Sequence, residues 1–158
     1  MTSQGAVPEI HPTAFIAPGA VVLGAVTLGA ESSVWYTSVL RGDMAPISIG
    51  AQTNIQDGCI VHVDEGYPCV IGARVGVGHR VILHGCTVGE DCLIGMGAVL
   101  LYAVRIVRGS VVADGAGLKE VMVVPQGSLG TGGPGLRVPG RGAVRTSGER
   151  GTGRDYRA

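Results

Sequence analysis

An aliphatic residue recurs at every sixth position of the chain. The series opens with Ile10, Ile16, Val22, Leu28, Val34 and Leu40. After a three-residue slip it resumes at Ile49, Ile55 and Val61, and after a four-residue insertion at Ile71, Val77 and Leu83. One residue is then dropped, and Val88, Ile94, Leu100, Ile106, Val112, Leu118 and Val124 follow. The fifth place of each hexad is a second phase. Of 19 such places, 16 hold Ala, Ser, Thr, Val or Cys, and the exceptions are Met44, Glu65 and Met122. Two phases held over 115 residues mark a repeat rather than chance alternation.

The pattern predicts one short strand and one corner per hexad. Three hexads close a triangular coil, and successive coils stack at the ~4.8 Å strand spacing. The aliphatic and small residues then point inward and form the layers of a narrow core. The expected fold is all-β, a single-stranded parallel β-helix of about six coils over residues 1–128. This repeat resembles that of the hexapeptide-repeat proteins, and the resemblance implies a left-handed helix and assembly as a homotrimer. A cyclic trimer is a natural closure for a three-sided body.

Composition supports the corners. Gly supplies 28 of 158 residues, or 18%, against a usual ~7%. Aromatic residues are only 4%. Gly relieves tight corners where φ is positive, and large rings do not fit a narrow prism. From Leu129 the hexad register is lost. Residues 129–158 hold nine Gly and six Arg and carry a net charge of +4. A stable helix is disfavoured there, at roughly 1 kcal/mol per Gly relative to Ala. The segment is expected to be a flexible or loosely docked tail, with a basic arm for an acidic partner as the sharper reading.

Charge and cysteine content narrow the class. Lys plus Arg and Asp plus Glu number 12 each, which offers no basis for nucleic-acid binding. No apolar run approaches the ~18 residues of a membrane span. The N-terminal segment lacks the basic and apolar parts of a secretion signal. Cys59, Cys69, Cys86 and Cys92 form no CxxC pair. They are expected to be reduced, mostly buried side chains of a cytoplasmic protein.

The repeat also acts as a ruler for the histidines. His62 and His84 each occupy the second place of a hexad, three hexads apart, so they should stack on one face. Arg41 holds the same place one coil earlier, which makes Arg41, His62 and His84 one column. His79 is at a third place near a corner and belongs to another face. Asp57 lies one coil below it. Gln56 and Asp57 are expected beside the column, and Asp43 two residues from Arg41, where the two pair across a subunit boundary. In a trimer, a neighbour's His79 can meet the His62–His84 pair. Three imidazoles with one position open are the ligand set of a catalytic zinc centre. His11, several coils away, is expected to be surface only.

The strings VLRGD (39–43), NIQDG (54–58), VHV (61–63) and VGHRVILHGCTVGEDCLIGMGAVL (77–100) resemble the γ-class carbonic anhydrase-like family. The match spans residues 8–128. The resemblance implies metal ligands at His62, His79 and His84, with His79 given by a neighbouring subunit. It also implies that Arg41, Asp43, Gln56 and Asp57 serve the site. The implied chemistry is attack of a metal-bound hydroxide on CO2 to give bicarbonate, on Zn or alternatively Fe or Co. Two departures imply slow turnover. The most active members carry Glu after RGD, where this chain has Met44. They also carry a long acidic loop with a proton-shuttle Glu, where this chain has only VDEGYP, with Asp64 and Glu65 as candidates. The competing readings are an acyl-CoA thioesterase or acyltransferase on the same fold, and a non-catalytic trimeric metal-binding module.

Overall fold

The computed structural model describes residues 5–131 and the strand Leu136–Val138. Among the described residues there is no helix, and the strands form a left-handed β-solenoid of about seven turns. Most inward aliphatic residues end or centre a strand of two or three residues. Phe15–Ile16, Ser33–Val34, Asn54–Ile55, Gly76–Val77, Leu93–Ile94, Val111–Val112 and Leu129–Thr131 pair in parallel along one face. The other two faces form one hydrogen-bonded sheet, because Val21–Leu28 and Val39–Ile49 run unbroken around the edge between them.

The turns outnumber those expected from the hexads by about one. The aliphatic pattern stops at Val124, but the ladder does not. Leu129–Thr131 pairs in parallel with Val111–Val112, and Gly130 takes the inward place. Glycine there hides the repeat from a search for aliphatic residues. Leu136–Val138 then pairs antiparallel with Leu129–Thr131. The remainder of the tail, and with it the expected flexible arm, lies outside the described residues.

The core is one stack of side chains. Val34, Leu40, Ile55, Val61, Val77, Leu83, Ile94, Leu100, Val112 and Leu118 are at most 1% exposed. Burying each such aliphatic side chain contributes about 1.5–3 kcal/mol before ordering costs. The fifth-place residues fill the space behind, and their polar atoms serve the corners. Ser38 donates to the Gln56 carbonyl at 2.8 Å, Thr53 to Gly72 at 2.7 Å and Ser110 to Pro125 at 2.7 Å. At the three slips of the period the fifth-place residue is displaced from the core. Met44, Glu65 and Thr87 are exposed, and Ala45, Val63 and Cys86 take the inward places instead.

The slip after Leu40 falls where two backbones touch. The two long strands turn the same edge in contact, with a register shift between Gly24 and Val26. A Cβ on Gly42 would lie 2.7 Å from the Ala25 carbonyl oxygen. A Cβ on Gly24 would lie 2.3 Å from the Gly42 oxygen. The Gly of RGD is therefore required by backbone contact, and the turn it permits sets Arg41 and Asp43 on either side.

Candidate metal centre

Strand register fixes the column. Arg41 pairs with His62, and His62 pairs with His84, across adjacent parallel strands. The two imidazole rings lie 5.1 Å apart, centroid to centroid, at 57°. Val61 and Leu83 precede them and are fully buried, so strand alternation sends both histidines outward. Arg41, His62 and His84 thus share one face, one above the other.

Carboxylates stand around this pair. Asp43 Oδ1 lies 3.0 Å from Nε2 of His62, and Asp43 also takes a bond from the Arg41 guanidinium. Arg41 and Asp43 thus pair within one chain, where the sequence suggested a pair between subunits. Desolvation raises the Asp43 pKa, but the hydrogen bonds from His62 and Arg41 outweigh it and hold the carboxyl below its ordinary value. Asp64 Oδ2 lies 3.2 Å from Nε2 of His84. That approach is not aligned for a hydrogen bond, and Nε2 of His84 is buried without one. A buried ring nitrogen with an unmet lone pair or proton is costly. A divalent cation, which imidazole and carboxylate both ligate at about 2.0–2.2 Å, would meet that need. The donor set fits a metal.

His79 is elsewhere on the chain. It stands in register with Asp57, whose Oδ2 is 3.2 Å from Nδ1 of His79. It lines a pocket of about 200 Å³ with Trp35, Tyr36, Asn54, Gln56 and Asp57. The structure therefore groups Gln56 and Asp57 with His79, not beside the His62–His84 column. Within one chain the sequence-predicted residues fall into two groups, Arg41, Asp43, His62 and His84 in one, Gln56, Asp57 and His79 in the other. His11 is exposed, and its ring bonds to Thr13 two residues on.

Trp35, Tyr36 and Asn54 escape the sequence reading. The register could have found Tyr36, which stands one turn from Asp57, since the Gly58 amide donates to its carbonyl. The single Trp of an aromatic-poor chain was a further signal. Its ring packs 5.2 Å from Phe15 and 6.2 Å from Tyr36, forming an apolar wall.

No family model matches the chain. Curated proteins do. The chain is 43% identical over 133 residues to "Gamma carbonic anhydrase 1, mitochondrial" of Arabidopsis thaliana, a match covering 80% of this chain and 48% of that protein. It is 43% identical over 106 residues to a carbonic anhydrase of Geobacillus kaustophilus, covering 67% of this chain and 58% of that one. A solved structure of a hexapeptide transferase family protein from Anaplasma phagocytophilum is 36% identical, with a TM-score of 0.87, and the match covers 97% of this chain and 95% of that one. The chain belongs to the γ-class carbonic anhydrase-like family of hexapeptide-repeat proteins. It spans about half the length of the curated relatives it matches. Among the described residues of this family member, no helix is long and apolar enough to cross a membrane.

Proposed function

We propose that the protein hydrates CO2 to bicarbonate at a divalent-metal centre in a homotrimer. His62 and His84 of one copy and His79 of a neighbouring copy hold the ion, which is Zn, Fe or Co. The observation that carries this reading is the stacked His62–His84 pair with the buried, unbonded Nε2 of His84. The exposure of His79, half of whose side chain is open to solvent, is what a residue given to a neighbour requires. When bound, the ion supplies Lewis acidity and lowers the pKa of a coordinated water to about 7, as zinc does in carbonic anhydrases generally.

The chain's own residues supply orientation and proton traffic. Asp43 accepts from His62 and fixes which ring nitrogen carries the proton. Arg41 in turn holds Asp43 ionised. Asp57, with Oδ2 3.2 Å from Nδ1 of His79, would orient that ring when the two bond. Gln56 presents an amide that can donate to and accept from a small oxygen-rich molecule, and it would orient substrate. Trp35 and Tyr36 give that pocket an apolar wall suited to CO2. A proton must leave for solvent, and the Asp64 carboxylate stands at the edge of the His62–His84 group, with Glu65 next in the turn.

The test is metal content followed by activity on one anaerobically purified sample. Bound metal with CO2 hydration above buffer, both lost in His84→Ala, is the expected result. Metal without hydration overturns the hydratase reading, and absence of metal overturns the site. A second reading, hydrolysis or transfer of an acyl group from acyl-CoA, is favoured by the likeness to a hexapeptide transferase family protein. An acyl-CoA assay on the same sample separates the two.

A further inference from the structure

We infer that each chain grips its metal ion by itself, through His62, Asp64 and His84, and that a neighbour's His79 adds to a site already formed. The inference rests on the metal reading above and concerns which groups hold the ion. A ring nitrogen of His62, one of His84 and a carboxylate oxygen of Asp64 all lie within 4.8 Å of one another in a single chain. Ligand atoms around an ion bonded at about 2.0–2.2 Å are spaced roughly 3–4 Å apart. Small side-chain rotations close the difference. His79 is not part of this group.

Three observations place Asp64 there. Strand alternation sends residues 62 and 64 to the same outer side, because Val63 between them is fully buried. Residues 64–67 form a tight turn, with Asp64 and Tyr67 in an antiparallel bridge and the Tyr67 amide 3.0 Å from the Asp64 carbonyl. That turn is itself held down, since Tyr67 packs 4.9 Å from Tyr102 over Gly85, where a Cβ would meet Tyr67 at 2.9 Å. The backbone that carries Asp64 is thereby held in place. Finally, its Oδ2 faces Nε2 of His84 at 3.2 Å without hydrogen-bonding it. An oxygen and a nitrogen that face each other closely without sharing a proton are disposed to share a cation.

The chemistry has consequences. Two histidines and one carboxylate suit ferrous ion as well as zinc, with positions left open for water and for a fourth protein ligand. The carboxylate also cancels one unit of the ion's charge. With Asp64 engaged as a ligand, Glu65 is the acid of the turn that remains for proton traffic.

The experiment uses Co(II) and Zn(II) with the full chain. His79→Ala should retain one ion per chain after dialysis. His79→Ala with Asp64→Asn should bind at least about ten-fold more weakly, measured by equilibrium dialysis and elemental analysis. In the otherwise unaltered chain, Asp64→Asn should change the visible absorption of bound Co(II), which reports ligand identity even if the double variant fails to fold. An ion lost from His79→Ala, or held equally well without Asp64, overturns the inference and leaves the three-histidine reading standing. No metal in the unaltered chain overturns both.

Discussion

At the scale of single residues, the corners hold the clearest strain. Among the described residues, eight other than Gly have positive φ. Val121, at φ 58°, is the branched aliphatic one, and it sits 71% exposed at a corner of the last turns. A branched side chain in the left-handed region clashes with its own backbone, whereas Asn tolerates it. Val121→Asn should stabilise the protein by about 1 kcal/mol, raising the melting temperature by roughly 2–4 °C in thermal unfolding. Asp43 makes a pH prediction. Its native pKa is depressed, so its contacts are intact above the ordinary carboxylate value of 3.8 and are lost only as pH falls through the lower native value. Carboxyl carbon NMR should give Asp43 a midpoint below 3.8, and Arg41→Ala should move it upward.

At the scale of elements, one corner is tied vertically by side chains. Gln52 donates to Glu31 at 3.3 Å, and Arg74 reaches Asp91 at 2.7 Å and Glu90 at 2.8 Å in the turn above. Arg108 approaches Asp91 from the next turn at 3.8 Å. These groups are largely exposed, so the network is worth little per pair. Arg74→Ala should cost less than about 1 kcal/mol in urea unfolding, and the difference should shrink in high salt. Such ties were not legible in the sequence, because stacking partners are 16 to 21 residues apart and depend on the slips. The hexads themselves were legible, since an inward residue must be small or aliphatic whatever its neighbours do. So was the column of Arg41, His62 and His84, because parallel register turns sequence spacing directly into vertical alignment. Placement around the corner was not. Gln56 and Asp57 share their strand's end with the pocket of His79 rather than with the column, a matter of which side of a corner they fall on. Gly130 was missed for want of a side chain to recognise.

At the scale of the whole molecule, a single layered core implies that its parts become accessible together. All four cysteines are buried and none forms a disulfide. Burial pushes the Cys59 thiol up to about 11 and raises that of Cys92, while the neighbouring Cys69, with burial, raises that of Cys86. A thiol reagent at a pH of about 8, near the ordinary thiol value, should therefore label none of the four in the native protein. In guanidinium it should label all four, with the labelled fraction following the loss of β-sheet circular dichroism. Labelling of one or two before that transition would show that the stack opens in sections.

The two ends of the solenoid are unlike. At the first turn, Ile10 is 44% exposed and, among the described residues, the strand Glu9–Ile10 has a neighbour on one side only. At the last, Leu136–Val138 lies antiparallel on Leu129–Thr131. Every earlier junction in that face is parallel, and a reversed strand breaks the rule by which one coil templates the next. A strand added beyond the reversed one would meet an antiparallel neighbour where every earlier strand of that face met a parallel one. Among the described residues, the reversal makes the edge that face presents at its far end a different template from the parallel edges beneath it.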